Sequence, residues 1–290
     1  MVIRILLCGF CLFGITVHAQ SNTEVYLSSM EFSEEGFVFG NLQNSSNNEG
    51  YDNQPYFAND DLLLYARNQD GQTDIAMYDL NKKTTQFFNP PTVGGEYSPQ
   101  PIPGSRDVAA VRLDPDGTQK LYRYGFEVAP KILIDDKVAY FTVPNDTLIV
   151  ASVIDLDQLK LVVYDVKNQN SYTLLKDSGR FLQKIPGSDA ISYSAKNEQG
   201  YEDLYQLDLQ TLDSYFICQL PIGVQDGAWW DDYKIIVGSG AQLFVYDLYG
   251  DGDWHAIADF SSHGITNITR LAISPDKKNL ALVAEKKSSK

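Results

Sequence analysis

The apolar positions of this chain come in short runs that alternate or cluster as strands do, and no segment sustains a helical period. Leu62-Leu63-Leu64-Tyr65-Ala66 is followed by the polar turn Asn68-Gln69-Asp70-Gly71. Then come Asp74-Ile75-Ala76-Met77-Tyr78-Asp79-Leu80 and a run from Thr84 to Phe88. Strand formers bounded by Gly, Asp and Asn predict short strands joined by tight turns. With the segment at Pro55 ahead of them, they make a group of four strands.

The group recurs. The second copy covers 100–102, 107–113, 121–124 and 131–134; the third 140–143, 147–153, 161–165 and 171–175. The fourth covers 181–185, 190–194, 203–208 and 214–218; the fifth 228–230, 234–237, 243–248 and 254–258. A phrase is nearly repeated too: Tyr51, Gln54 and Pro55 return as Tyr97, Gln100 and Pro101, each 46 residues on. Taking Pro55, Pro101, Pro144, Pro186, Trp230 and Ser274 as markers of the first strands gives spacings of 46, 43, 42, 44 and 44. Four strands in a period of about 40–45 are the signature of a β-propeller blade.

The last copy is half a copy, with strands at 268–273 and 279–284. The missing half stands at the other end of the chain. Glu24-Val25-Tyr26-Leu27 resembles the third strands and Gly36-Phe37-Val38-Phe39 the fourth. An open ring would leave unpaired strand edges and uncovered blade faces, and sharing one blade between the chain ends removes both. The expected fold is all-β: a six-bladed propeller of four-stranded antiparallel blades over 20–290, with the last blade closed by N- and C-terminal strands.

Composition adds a location. Arg4, an apolar stretch from Ile5 to Val17 and the small Ala19 predict a cleavable signal peptide over 1–19, so that the protein is periplasmic or secreted. Cleavage removes Cys8 and Cys11 and leaves Cys218 as a buried hydrophobe inside an apolar strand. A formal charge of −15 argues against nucleic acid and against anionic membrane surfaces, because both demand basic side chains. A soluble monomer is expected.

Two turns carry a family resemblance. Ile273-Ser274-Pro275-Asp276-Lys277-Lys278 resembles the Ser-Pro-Asp-Gly-Lys turn of TolB-like propeller repeats, and Asn68-Gln69-Asp70-Gly71 the Asp-Gly turn of the same repeats. The resemblance covers the propeller only, with no segment matching TolB's separate α/β domain. It implies a binding or scaffold protein for a peptide or a cell-envelope partner, with no catalysis.

Candidate chemistry is sparse. The chain after residue 19 has two histidines, His255 and His263, and lacks His-Glu-x-x-His, Cys-x-x-Cys and Gly-x-Ser-x-Gly motifs. Acidic pairs recur at Asp114/Asp116, Asp155/Asp157 and Asp251/Asp253. They read as turn residues first. Read as Ca²⁺ ligands instead, they belong to the enzymatic alternative, a metal (Ca)-dependent lactonase or related hydrolase working in the central channel. No metal or cofactor site is assigned.

The expected ligand face is the one where the innermost strands begin. Loops there would present Tyr51, Asp52, Glu96, Tyr97, Arg180 and His263. Lys184 and Arg270 would give the channel mouth its positive charge. Trp229 and Trp230 are expected to begin the innermost strand of the fifth blade, with at most one facing the channel because side chains alternate along a strand.

Overall fold

The computed structural model describes residues 22–286 apart from 127, so the predicted signal peptide lies outside the described residues. Six sheets are arranged in sequence, each built from neighbouring antiparallel strands. Blade 1 consists of Asp52–Asn59, Leu62–Gln69, Gln72–Asp79 and Thr84–Phe87, in that order from the channel outward. The innermost strands of blades 2 to 5 are Gly95–Pro101, Val138–Thr142, Ser178–Lys184 and Gly227–Trp229.

Blade 6 joins the chain ends as expected. Ile265–Ile273 is innermost, Asn279–Lys286 is second, and Thr23–Ser33 is third. The seam runs from Thr23↔Glu285 to Ser29↔Asn279, with Val25 opposite Val283. The outermost position is shared by Gly36–Phe39 and the short Gln43–Asn44, which pair with different halves of the third strand.

The second strands are mostly apolar because each blade is covered on both faces, and the serines they do carry, Ser152, Ser192 and Ser194, are buried. Leu63 and Tyr65 point toward blade 6, into a cluster with Val25 and Val283. Leu64, one position along, joins Ile75, Val108 and Tyr122 on the blade 2 side. Alternating side chains therefore feed two neighbouring cores, and neither face is left to solvent.

The register of the repeat differs from the sequence spacing. Asp52 pairs with Arg67 and Asn53 with Ala66, then Gln54 and Pro55 bulge out before Tyr56 pairs with Leu64. In blade 2, Glu96 pairs with Arg112 and Tyr97 with Val111, then Ser98 and Pro99 bulge before Gln100 pairs with Ala109. The equivalent positions are thus Gln54 and Ser98, 44 residues apart. Both have positive φ, 59° and 53°. A bulge leaves its extra residue outside the ladder, so a proline that cannot donate costs nothing there. Pro101, by contrast, ends its strand. The 46-residue likeness is a coincidence of residue types at slipped positions.

Candidate functional site

Each blade places one side chain of a common cluster at the channel. Blade 4 supplies Arg180 and blade 6 Arg270, both from innermost strands. The loop leading into blade 5 supplies Asp226, and blade 3 supplies Tyr140. Tyr51 stands just ahead of the blade 1 strand and Tyr97 lies within the blade 2 strand. Their rings meet edge to face with centroids 6.1 Å apart. The channel lining is therefore divided into a hydroxyl half from blades 1 to 3 and a charged half from blades 4 to 6.

The charged half is a guanidinium–carboxylate–guanidinium bridge. Arg270 Nη1 donates to Asp226 Oδ2 at 2.8 Å, and Arg180 Nε donates to the same oxygen at 3.4 Å. Arg180 Nη2 also donates to the Thr269 carbonyl at 3.1 Å, so blade 4 is tied directly to blade 6 across the channel. Asp226 is buried. Burial pulls Arg270 below the ordinary arginine range, and Asp226 works against that pull. Tyr51 is pushed up by burial, and the two arginines oppose the shift, which sets its hydroxyl within their field.

Three cavities meet at Arg180. A channel cavity of ≈ 40 Å³ is lined by Tyr140, Asp226, Arg270 and the bulge residues Gln54 and Ser98. A vestibule of ≈ 320 Å³ opens beside it, bounded by Ile222, Gln225, Asn267 and Thr269. A side pocket of ≈ 250 Å³ holds Lys196, Glu202 and Gln225. All three lie on the face where the innermost strands begin.

Asp52 and Glu96 are not on this face's surface. Both are buried at the heads of their strands, inside the seam between blades. Burial pushes Asp52 up to about 6, against the pull of Arg67 and a hydrogen bond from Asn48. Burial likewise pushes Glu96 up to about 7, with the Asp74 charge adding to it. Glu96 accepts from the Thr92 hydroxyl at 3.0 Å and from the Ile75 backbone N–H of blade 1 at 3.4 Å. The Glu96 carboxyl thus links blade 2 to blade 1, while the Asp52 carboxyl accepts from Asn48 and Asn68 and its backbone carbonyl accepts from the Thr23 hydroxyl of blade 6.

The remaining candidates lie elsewhere. Trp229 ends the blade 5 strand where the sequence had it begin one. Its Nε1 donates to Ser192 Oγ at 2.8 Å. Lys184 lines a cavity of ≈ 210 Å³ with Trp229, Pro186 and Pro275, at the opposite end of the channel from Arg180. Its Nζ donates to the Ser188 carbonyl. Trp230 packs on Phe32 and Phe37, with Lys277 Nζ 4.6 Å from a ring centroid. The slip of one strand length came from matching Trp230 to Pro55. His263 does lie in the loop entering the innermost strand of blade 6, as expected, but outside the arginine cluster, closing an exposed 3₁₀ turn, Ser261–His263, against Phe260.

Sequence reasoning missed Asp226 and Tyr140. The signal for Asp226 was available: an acid heads the innermost strand, as Asp52 and Glu96 do in blades 1 and 2. The acidic pairs behave as turn residues. Asp116 accepts from Thr118 N at 2.8 Å, Asp251 from Asp253 N at 3.1 Å, and Asp114 faces Arg112 at 2.8 Å. Among the described residues, no group of three or more His, Cys, Asp and Glu could hold a metal ion. Cys218 is buried and free, its thiol pushed up to about 12 by burial.

No family model matches the chain, and no curated protein matches it by sequence. Solved structures do match in fold. TolB from Acinetobacter baumannii superposes with a TM-score of 0.58 at 10% identity; the match covers 92% of this chain and 65% of that one. A protein of Agrobacterium tumefaciens described as a TolB gives 0.67 at 11%, covering 91% and 99%. XC5397 from Xanthomonas campestris, described as a gluconolactonase, gives 0.61 at 11%, covering 81% and 85%. These likenesses define the class: a six-bladed propeller, a fold shared by TolB and by enzymes.

Proposed function

We propose that this is an exported, non-catalytic TolB-like propeller that binds a peptide or a cell-envelope protein on the face where its innermost strands begin. The observation that carries the reading is the make-up of the channel mouth: Tyr140 and two arginines around one carboxylate already engaged by both arginines, with the Tyr51–Tyr97 pair beside them. Tyr and Arg are the side chains that dominate recognition surfaces. The rim adds apolar contact area, with Ile222 84% and Leu156 94% exposed on loops of the same face. The fold likeness to TolB is compatible with this reading.

The alternative is a metal-dependent lactonase. It would need several oxygen ligands converging in the channel, and there Asp226 is bridged by guanidinium groups. One paired experiment separates the two. The purified protein, immobilised, is offered solubilised envelope extract, beside an Arg180→Ala, Ile222→Ala variant. In parallel it is assayed for hydrolysis of aldonolactones with and without Ca²⁺. Capture of a partner by the native protein and loss of it by the variant supports the binding reading. Ca²⁺-dependent lactone hydrolysis without capture overturns it.

A further inference from the structure

We infer that the Arg180–Asp226–Arg270 bridge is a receptor for a single carboxylate, the C-terminal carboxylate of a bound peptide. The inference rests on the binding reading and names what the channel mouth would receive.

The first ground is unused donor capacity. Two guanidinium groups offer about ten N–H donors between them, and three hydrogen bonds engage them here. Arg270 Nε is buried without a partner, and so is the hydroxyl of the adjacent Thr269. Buried donors are normally satisfied, and unsatisfied ones in a cavity wall mark where an acceptor would be met after a small side-chain shift. The Thr269 side faces the vestibule, and Arg270 faces the channel cavity.

The second ground is charge. The bridge holds two positive groups against one negative, and Lys196 and Glu202 in the side pocket beside Arg180 offset each other, inside a chain whose formal charge is −15. The local excess matches one negative charge. A dianion such as phosphate would overfill it and would also work against the field of the whole chain. A carboxylate, planar and two-toothed, fits the guanidinium fork.

The third ground is shape, which favours a peptide end over a free acid. The ≈ 40 Å³ channel cavity is the size of a small terminal group, whereas the ≈ 320 Å³ vestibule beside it has room for the residues that precede one. Ile222, which lines that vestibule, is exposed and apolar. A peptide side chain would cover it, and a small acid would not reach it. Binding would stop at the bridge, because Arg180 reaches across to blade 6 and narrows the way through.

The test uses the mature protein and two pools of random acetylated hexapeptides, one ending in a free carboxylate and one in an amide. Acetate and inorganic phosphate serve as small-anion arms. Affinity is read by calorimetry and thermal shift. The expected result is that the acid pool binds at least tenfold more tightly than the amide pool. Arg180→Gln should abolish the difference, and Arg180→Lys, which keeps the charge but loses the fork, should reduce it. Asp226→Asn, which removes the competing carboxylate, should strengthen acid-pool binding. That gain cannot come from misfolding and would not arise at a bridge that is only structural. Equal binding of both pools overturns the carboxylate site and leaves the peptide reading standing. Acetate binding that depends on Arg180, with no binding of either pool, overturns the peptide source. No anion binding in any arm overturns the site itself.

Discussion

The side-chain oxygen of Gln54 accepts a hydrogen bond from the backbone N–H of Ser98 at 2.9 Å. Both residues sit at the bulge of an innermost strand, in neighbouring blades, and both have positive φ. Gln100 repeats the gesture one blade on, donating from Nε2 to the Phe141 carbonyl at 2.8 Å. Glutamine is thus the side chain by which blades 1, 2 and 3 are stapled at the channel. The arginines and Asp226 do the same work for blades 4, 5 and 6.

Removing the first staple should cost little but measurably. Gln54→Ala leaves the Ser98 N–H without its acceptor and should lower stability by about 1 kcal/mol. Gln54→Glu retains the acceptor and should fall between the two. Chemical denaturation of the three proteins at pH 7 would check the order, and an unchanged midpoint in Gln54→Ala would refute it.

The buried carboxyls predict a stability that falls as pH rises. Folding lifts Asp52 to about 6 and Glu96 to about 7, above their unfolded values. The folded chain therefore holds protons that the unfolded chain releases. Their contribution is fully present below about pH 4, the unfolded range. It is lost progressively up to about 7, where Glu96 ionises. The melting temperature should be higher at pH 5 than at pH 8. In Glu96→Gln the dependence should be much shallower, as a series of melts in matched ionic strength would show.

The seam of blade 6 should be unforgiving. Leu282 is fully buried opposite Tyr26, in a cluster with Leu243 and Leu271. Leu282→Ala should cost about 2–5 kcal/mol through lost burial and the cavity left behind. A loss below 1 kcal/mol in urea denaturation would mean that the seam contributes little to the ring.

Leu156 should respond in the opposite direction. It is 94% exposed and held at φ 57° in the tight turn between Asp155 and Gln158. A side chain with a Cβ pays roughly 1–2 kcal/mol in that conformation. Leu156→Gly should recover part of this and raise the melting temperature. Weaker partner capture by the same variant would show what the strained, exposed leucine is kept for.

The number of blades and the shared last blade were legible in the chain because they depend on repetition. Every second strand must be apolar on both faces, so Leu62 to Ala66, Thr147 to Val153 and Lys234 to Val237 stand out whatever their register. The register itself was not legible. A bulge adds a residue without changing composition, and a proline at a bulge, Pro55, looks like a proline at a strand end, Pro101. The same slip moved Trp229 and Trp230 to the wrong end of their strand. At the site, Arg180 and Arg270 stood out as scarce cations near strand starts. Asp226 did not, since acids are everywhere in this chain and only the fold shows which one lies between two arginines.

Because Thr23–Ser29 zip onto 279–285, the ring cannot be sealed until that late segment has been delivered. The early strand, paired on one edge by its own hairpin partners, must wait with the other edge open through the assembly of five blades, and its closure spans a loop of about 250 residues. Maturation should therefore be all-or-nothing. Synthesis that stops anywhere before Asn279 yields not a smaller propeller but an open, adhesive arc for proteases to clear.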